Sequence, residues 1–194
     1  WKTDVNSLSG VPSWMLVLIK AVLQKTGSEY LTDVWPNMEV FFHGGISFEP
    51  YRDQYKALIP SDRMHYMETY NASEGFFGLQ DNPEEHSLLL MIDYSVFYEF
   101  IPINEVGEEH PTVLPLEAVE VGKNYAMVIT TSGGLWRYQI GDTVRFTSLY
   151  PHKFVISGRT KNFINAFGEE LMVDNADKAI SRVCRQTGAK VKEY

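Results

Sequence analysis

The chain has 194 residues, of which 44% are hydrophobic and 22% charged, with a formal net charge of -8. That length supports a sizeable core, in one large domain or one domain plus a small appendage. The acidic balance, with no long basic run, counts against nucleic acid or an anionic membrane as the main partner. The single cysteine, Cys184, excludes an intrachain disulfide and a thiolate metal cluster, and a reducing cytoplasm is the simplest setting. The apolar run WMLVLI at 14–19 is too short to span a bilayer. Asn71-Ala72-Ser73 matches a glycosylation sequon, but no secretory signal accompanies it. A start at Trp1 and an end on KVKEY read as a piece of a longer protein.

In chain order, residues 12–27 predict a helix. Pro12 suits its first turn, Trp14, Leu16, Val17, Leu18, Ala21, Val22 and Leu23 form a broad apolar face, and Gly27 suits its stop. MEVFF (38–42) predicts a strand running into His43-Gly44-Gly45, EPYRDQYKAL (49–58) has helical period, and MHYMETY (64–70) predicts a second strand. This order implies parallel pairing with helices packed on the sheet. After Gly78 come LLLMI (88–92), VFYEFIPI (96–103), NYAMVITT (124–131), LWRYQI (135–140), TVRFTSL (143–149) and KFVISGR (153–159), divided by turn signals that include Gly133-Gly134 and Gly141-Asp142. Short strands with close turns predict an antiparallel, barrel-like sheet. Residues 173–187 predict a closing helix. The fold class is therefore α/β: a parallel portion, then the antiparallel barrel-like sheet, then the start of a small α+β domain.

Four short stretches stand out chemically. Gly44-Gly45 after a strand permits φ > 0 and close approach of backbone to a flat ligand, or is a tight turn. YNASEG (70–75) follows the next strand, at the kind of strand end where open α/β sheets bind ligands. There Tyr70 could stack on a base, Ser73 donate to a phosphate and Glu74 ligate Mg²⁺, or the stretch is a surface turn with a buried Tyr. Asp142 could accept hydrogen bonds from a ribose diol, or Gly141-Asp142 is a hairpin turn. Arg159 could reach a ribose or phosphate with its fork, or be solvated at a strand end. Lys161 follows in a short polar stretch, Thr160 to Asn162, suited to a hinge. The five histidines have no zinc-site spacing, and no nucleophile elbow or phosphate loop of the G-x-x-x-x-G-K-[ST] type is present.

The order HGG, YNASEG, YQIGD, GRTKNFI resembles the adenylate-forming superfamily of acyl-CoA synthetases, peptide-synthetase adenylation domains and luciferases. More closely, "VWPNMEVFFHGGISFEPYR", "YNASEGFFGLQD", "GLWRYQIGDTVRF" and "SGRTKNFINAFGEEL" are similar to the acyl-acid amido synthetases, the auxin-responsive and jasmonate-conjugating family, in a bacterial-looking form. The resemblance runs from about Gly10 to about Gly188. It implies that Gly44 and Gly45 lie along adenine, Tyr70 stacks on it, Ser73 nears the α-phosphate and Glu74 binds Mg²⁺. It implies further that Asp142 holds the ribose hydroxyls, Arg159 makes a second ribose or phosphate contact, and Lys161 sits at the hinge of a mobile small domain. Departures are Asn71 where the superfamily usually has Gly, Ser73 where it often has Thr, and Gln139 in place of Arg. The upstream Ser/Thr/Gly-rich phosphate loop is not in this sequence, and neither Lys190 nor Lys192 lies in the context of the C-terminal lysine that assists adenylation.

On this basis residues 1–160 are expected to be the second half of a large adenylation domain, α/β over 1–80 and β-rich over 81–160, with 161–194 opening the small C-terminal domain. The implied activity is an ATP- and Mg²⁺-dependent ligase joining a small carboxylic acid to an amino acid through an acyl-adenylate, with no nucleic acid or membrane partner. An acyl-CoA ligase of the same superfamily, and a non-catalytic nucleotide-binding or interaction module, are the alternatives. The helix from Val11-Pro12-Ser13-Trp14 lines the acyl pocket if the resemblance extends to it.

Overall fold

A computed structural model of the chain describes residues 1–161, 164–166, 169–171 and 173–189. Lys190 and Lys192 lie outside them. The chain divides into two compact units, one of residues 1–70, 81–84 and 177–194, the other of 71–80 and 85–176.

The first unit is α/β. Strand β1 (Ser7–Gly10) leads through helix α1 (Pro12–Thr26) and the short helix α2 (Leu31–Val34) to β2 (Val40–His43), and helix α3 (Arg52–Leu58) leads to β3 (His65–Ala72). The strands lie in the order β1-β2-β3, both pairings parallel, as two successive β–α–β crossovers require. Helix α1 begins with Pro12 in its first turn and stops at Gly27, whose backbone is left-handed at φ 73° and whose N–H donates to the Leu23 carbonyl. Its sequence is apolar on more than one face, but only one face is used. Leu16, Ile19 and Leu23 are buried, while Trp14, Val17 and Leu18 stand 72%, 69% and 51% exposed. The buried face packs with Phe41 of β2, Tyr55 of α3 and Leu31 of α2 in one core. Within that core Phe41 and Tyr55 stack with ring centroids 4.9 Å apart. The Tyr55 hydroxyl donates to the Pro12 carbonyl at 2.7 Å, fastening α3 to the first turn of α1.

The second unit is antiparallel. Its strands are β4 (Gly75–Leu79), β5 (Leu88–Leu90), β6 (Val96–Pro102), β7 (Leu114–Pro115), β8 (Asn124–Thr131), β9 (Tyr138–Leu149) and β10 (His152–Arg159). They are ordered β4-β5-β10-β9-β8-β6-β7. Phe100, Tyr125, Phe146 and Phe154 fill its interior with edge-to-face and tilted contacts, Phe100 and Phe146 at 5.1 Å. A hairpin of β11 (Ile164–Ala166) and β12 (Glu169–Leu171) precedes helix α4 (Val173–Thr187).

One expectation is corrected here. Gly141-Asp142 is not a hairpin turn between two strands. It lies inside the single twelve-residue strand β9. On the β8 side the ladder pairs Ala126 with Thr143 and Val128 with Gln139, so Ile140, Gly141 and Asp142 together oppose only Met127. This is a bulge, with Gly141 left-handed at φ 88°. A polar Gly-Asp pair marks a bulge as well as it marks a turn, because both need an unpaired residue and positive φ. The predicted strand at 135–140 shrinks correspondingly: Trp136 is 82% exposed and Arg137 has φ 47°, which belongs to the connection from β8.

Replacing Tyr55 with Phe would remove the hydroxyl while keeping the stack on Phe41, leaving the Pro12 carbonyl without that buried donor. A loss of about 1–3 kcal/mol in denaturant unfolding is expected, with the cooperativity of the transition unchanged.

Candidate functional site

The sequence-predicted residues fall in both units. Gly44, Gly45 and Tyr70 belong to the first, and Ser73, Glu74, Asp142, Arg159 and Lys161 to the second.

In the first unit β2 ends at His43, and the two glycines follow for different physical reasons. A Cβ on Gly44 would lie 2.4 Å from the Thr69 carbonyl oxygen of β3, so backbone packs against backbone there. Gly45 is left-handed at φ 83°. Thr69 completes the junction by donating its hydroxyl to the His43 carbonyl at 3.3 Å. The parallel register pairs Phe41 with Tyr66 and His43 with Glu68, which puts these four side chains on one face of the sheet. Phe48 covers them, stacked on His43 at 4.2 Å and on Tyr66 at 5.0 Å, with the Arg52 guanidinium 4.9 Å over its ring. Neither His43 ring nitrogen nor the Tyr66 hydroxyl has a hydrogen-bond partner.

Burial holds the His43 imidazole down at about 3, and the charge on Arg52 pushes the same way. Burial likewise drives the Glu68 carboxyl up to about 7, against the pull of Arg52, and the Tyr66 phenol up to about 12. The face therefore carries a neutral imidazole beside a carboxyl shifted toward its protonated form. Tyr70 follows on β3, 6% exposed.

YNASEG, whose Tyr70 belongs to the first unit and whose other residues belong to the second, is more strand than loop. Tyr70, Asn71 and Ala72 end β3, Ser73 and Glu74 make a two-residue turn, and Gly75 opens β4. Ser73 is exposed and Glu74 half-buried. Further on, β9 and β10 bring Asp142 opposite Arg159 in the ladder. Arg159 Nε lies 3.0 Å from Asp142 Oδ1, with the carboxylate buried and the guanidinium exposed. Thr160 secures the same corner: its N–H donates to the Gly141 carbonyl at 2.9 Å, and its hydroxyl to the same oxygen at 3.3 Å. One rung deeper, Ser157 and Thr143 share a buried hydroxyl hydrogen bond of 3.0 Å. Lys161 comes directly after this corner and is exposed.

The structure thus joins two residues proposed separately for ribose, Asp142 and Arg159. The sequence reading missed Glu68, Arg52 and Thr69. The signal for Glu68 was present in MHYMETY, because a period of two sets Glu68 on the face of Tyr66 and Tyr70. Arg52 reaches the cluster from α3, which no local pattern reveals.

Solved structures share this fold. The structure of AtGH3.15 acyl acid amido synthetase in complex with 2,4-DB superposes with a TM-score of 0.66 at 19% identity, over 89% of this chain and 31% of that one. A 2-hydroxyisobutyryl-CoA ligase in its postadenylation state gives 0.61 at 15% identity, over 91% and 37%.

The GH3 family N-terminal domain matches residues 2–64 and the GH3 family central domain matches residues 89–159, and the chain belongs to the GH3 family. It is 31% identical to indole-3-acetic acid-amido synthetase GH3.4 of Arabidopsis thaliana, over 100% of this chain and 34% of that protein. It is 32% identical to a human GH3 domain-containing protein, over 64% and 24%. The chain therefore spans about a third of the length of the plant relative.

Two outcomes follow from the first unit's geometry. A Gly44→Ala methyl cannot fit against the Thr69 carbonyl without parting β2 from β3, and a loss of about 1–3 kcal/mol or more is expected in thermal or denaturant unfolding.

The His43–Glu68 pair gives opposite pH dependences. With its folded pKa lowered, His43 binds fewer protons folded than unfolded, so its term raises stability as pH climbs from about 3 to 6.5. With its folded pKa raised, Glu68 lowers stability as pH climbs from about 4.5 to 7. Across pH 4.5–6.5 the two oppose each other. Glu68→Gln should make stability rise more steeply with pH there than in the wild type, and His43→Phe should make it rise less or fall. Urea midpoints measured at intervals of pH would read both.

Proposed function

We propose that the full-length protein is a ligase that adenylates a carboxylic acid with ATP and transfers the acyl group to the amine of an amino acid. The observation that carries this reading is the Asp142–Arg159 pair, held 3.0 Å apart at a bulged corner of β9 and β10. A buried carboxylate already fixed by an arginine offers a rigid acceptor for the two hydroxyls of a ribose, with the guanidinium free to share itself with a neighbouring oxygen. The 31% identity to an indole-3-acetic acid-amido synthetase across the chain supports an amine rather than a thiol as acceptor.

In the first half-reaction an oxygen of the acid attacks the α-phosphorus and pyrophosphate leaves. In the second, the amine nitrogen attacks the acyl carbonyl, AMP leaves with the bonding pair, and the nitrogen gives up a proton. Within this chain, Asp142 and Arg159 orient the ribose, the backbone of Gly44 and Gly45 and the ring of Tyr70 receive adenine, and Ser73 donates to the α-phosphate. Lys161 is the hinge at which a small C-terminal domain begins and the two half-reactions are separated.

Among the described residues no three His, Cys, Asp or Glu side chains group as a metal cage. Mg²⁺ does not need one, since it commonly takes one or two carboxylates and fills its shell from phosphates and water. Glu74, half-buried in the tight turn after β3, fits that requirement. Mg²⁺ held there would neutralise phosphate charge. The exposed Trp14, Val17 and Leu18 face of α1 supplies apolar surface for the acyl substrate. No helix among the described residues is long and apolar enough to cross a membrane. The acidic surface and single thiol support a cytoplasmic setting with no nucleic acid partner.

The full-length protein should release pyrophosphate from ATP in the presence of a suitable carboxylic acid and go on to an amide when amino acids are supplied. Asp142→Asn should raise the KM for ATP about tenfold or more, as loss of a charge-assisted hydrogen bond predicts. Absence of acid-dependent pyrophosphate release over a broad panel of acids, from a folded protein, would end the reading.

A further inference from the structure

A short loop, Gly44 to Ser47, separates His43 at the end of β2 from Phe48. Gly45 and Ile46 in the middle of this loop are exposed, while His43 and Phe48 at its two ends are buried. The two buried rings lie on each other, stacked with centroids 4.2 Å apart. The loop therefore leaves the core and returns to it at one point.

Each end is fixed a second time. At the start, Gly44 packs against the Thr69 carbonyl, and Thr69 donates its hydroxyl to the His43 carbonyl. At the return, the Phe48 carbonyl accepts the backbone N–H groups of Tyr51 and Arg52 at 2.9 and 3.1 Å, where α3 begins. The Phe48 ring also stacks on Tyr66 at 5.0 Å, with the Arg52 guanidinium 4.9 Å over it. A residue that only filled the core would need burial alone. Phe48 instead couples the strand before the loop to the helix after it. A backbone held at both ends before a ligand arrives loses little freedom on binding.

We propose that Phe48 is a positioning residue for the nucleotide base: its ring, locked on His43, holds the backbone of Gly44 and Gly45 in the conformation that receives adenine. The inference rests on the adenine assignment made above, and Phe48 acts through the glycine pair rather than on the nucleotide itself.

The test combines amide hydrogen exchange with ATP titration on the full-length protein, at a temperature where every variant compared is folded. Phe48→Leu keeps apolar bulk but loses the stack. Exchange at the amides of residues 44–47 should quicken about tenfold, and the Kd for ATP should rise about tenfold with it. His43→Ala removes the other ring and should do the same, whereas His43→Phe restores a stack and should lie nearer the wild type on both readouts. Should Phe48→Leu fail to fold, the two His43 variants carry the same test. Leu23→Ala is the control. It opens the same core at the opposite end of α1 from Pro12, and should lower the melting temperature while leaving loop exchange and ATP affinity alone. A merely structural Phe48 would behave as Leu23 does. The proposal is overturned if Phe48→Leu leaves loop exchange or ATP affinity at its wild-type value, or if Leu23→Ala weakens ATP binding as much. A wild type that binds no ATP overturns the adenine assignment and this inference with it, so the two failures are told apart before any variant is made.

Discussion

The parallel register of β2 on β3 is the constraint on which the first unit turns. It sets Gly44 so close to the Thr69 carbonyl that no side chain fits, and it puts His43 beside Glu68 on the face that Phe48 covers. A slip of one residue would turn that whole face outward. The Phe41–Tyr55 stack and the Tyr55 bond to Pro12 hold the register on the same face, by fixing α3 against β2 and to the first turn of α1. Burial then favours the uncharged form of both ionisable groups, in a position where either charge would be poorly solvated. Such burial is expensive, and a purely structural strand would do better with apolar residues. Its occurrence directly before the glycine pair fits a face shaped by function as well as packing.

The second unit solves a different problem with hydrogen-bonded polar pairs. Asp142 is buried but charge-balanced by Arg159, Thr143 and Ser157 satisfy each other, and Thr160 holds the Gly141 carbonyl. A corner whose donors and acceptors are matched before a ligand arrives needs little rearrangement to receive one. The aromatic interior around Phe100 and Phe146 gives this corner a stiff support.

Much of this was legible in the sequence, and the limits have identifiable causes. Helix α1 could be read from Pro12 to Gly27 because its caps are local. Strand β8 could be read residue for residue, since NYAMVITT is fully buried over its middle and bounded by turns. Gly44-Gly45 was recognisable as a special backbone, although the neighbour that demands it, Thr69, is 25 residues away. Gly141-Asp142 was misread because a bulge and a hairpin use the same residues, and only the pairing with β8 separates them. The exposed side of α1 was invisible for a similar reason: an apolar residue does not say whether this chain covers it. Pairings over long separations, such as Arg185 with Glu49, leave no local trace at all.

The hairpin of β9 and β10 holds one more consequence. Its ladder pairs Ile156 with Val144 but Gly158 with Thr143, so Ser157 is a surplus residue and every later partner is displaced by one. Without that surplus, Gly158 would stand opposite Asp142, and Arg159 would stand opposite Gly141 with its side chain on the wrong face. The ion pair is therefore encoded by spacing as much as by residue type. A second irregularity, where Lys153 pairs with Ser148 but Phe154 with Phe146, shifts the ladder the other way, so only a gain or loss that these irregularities do not absorb would part the two charges, whereas many substitutions along the same stretch would leave them paired. Length there behaves like a reading frame.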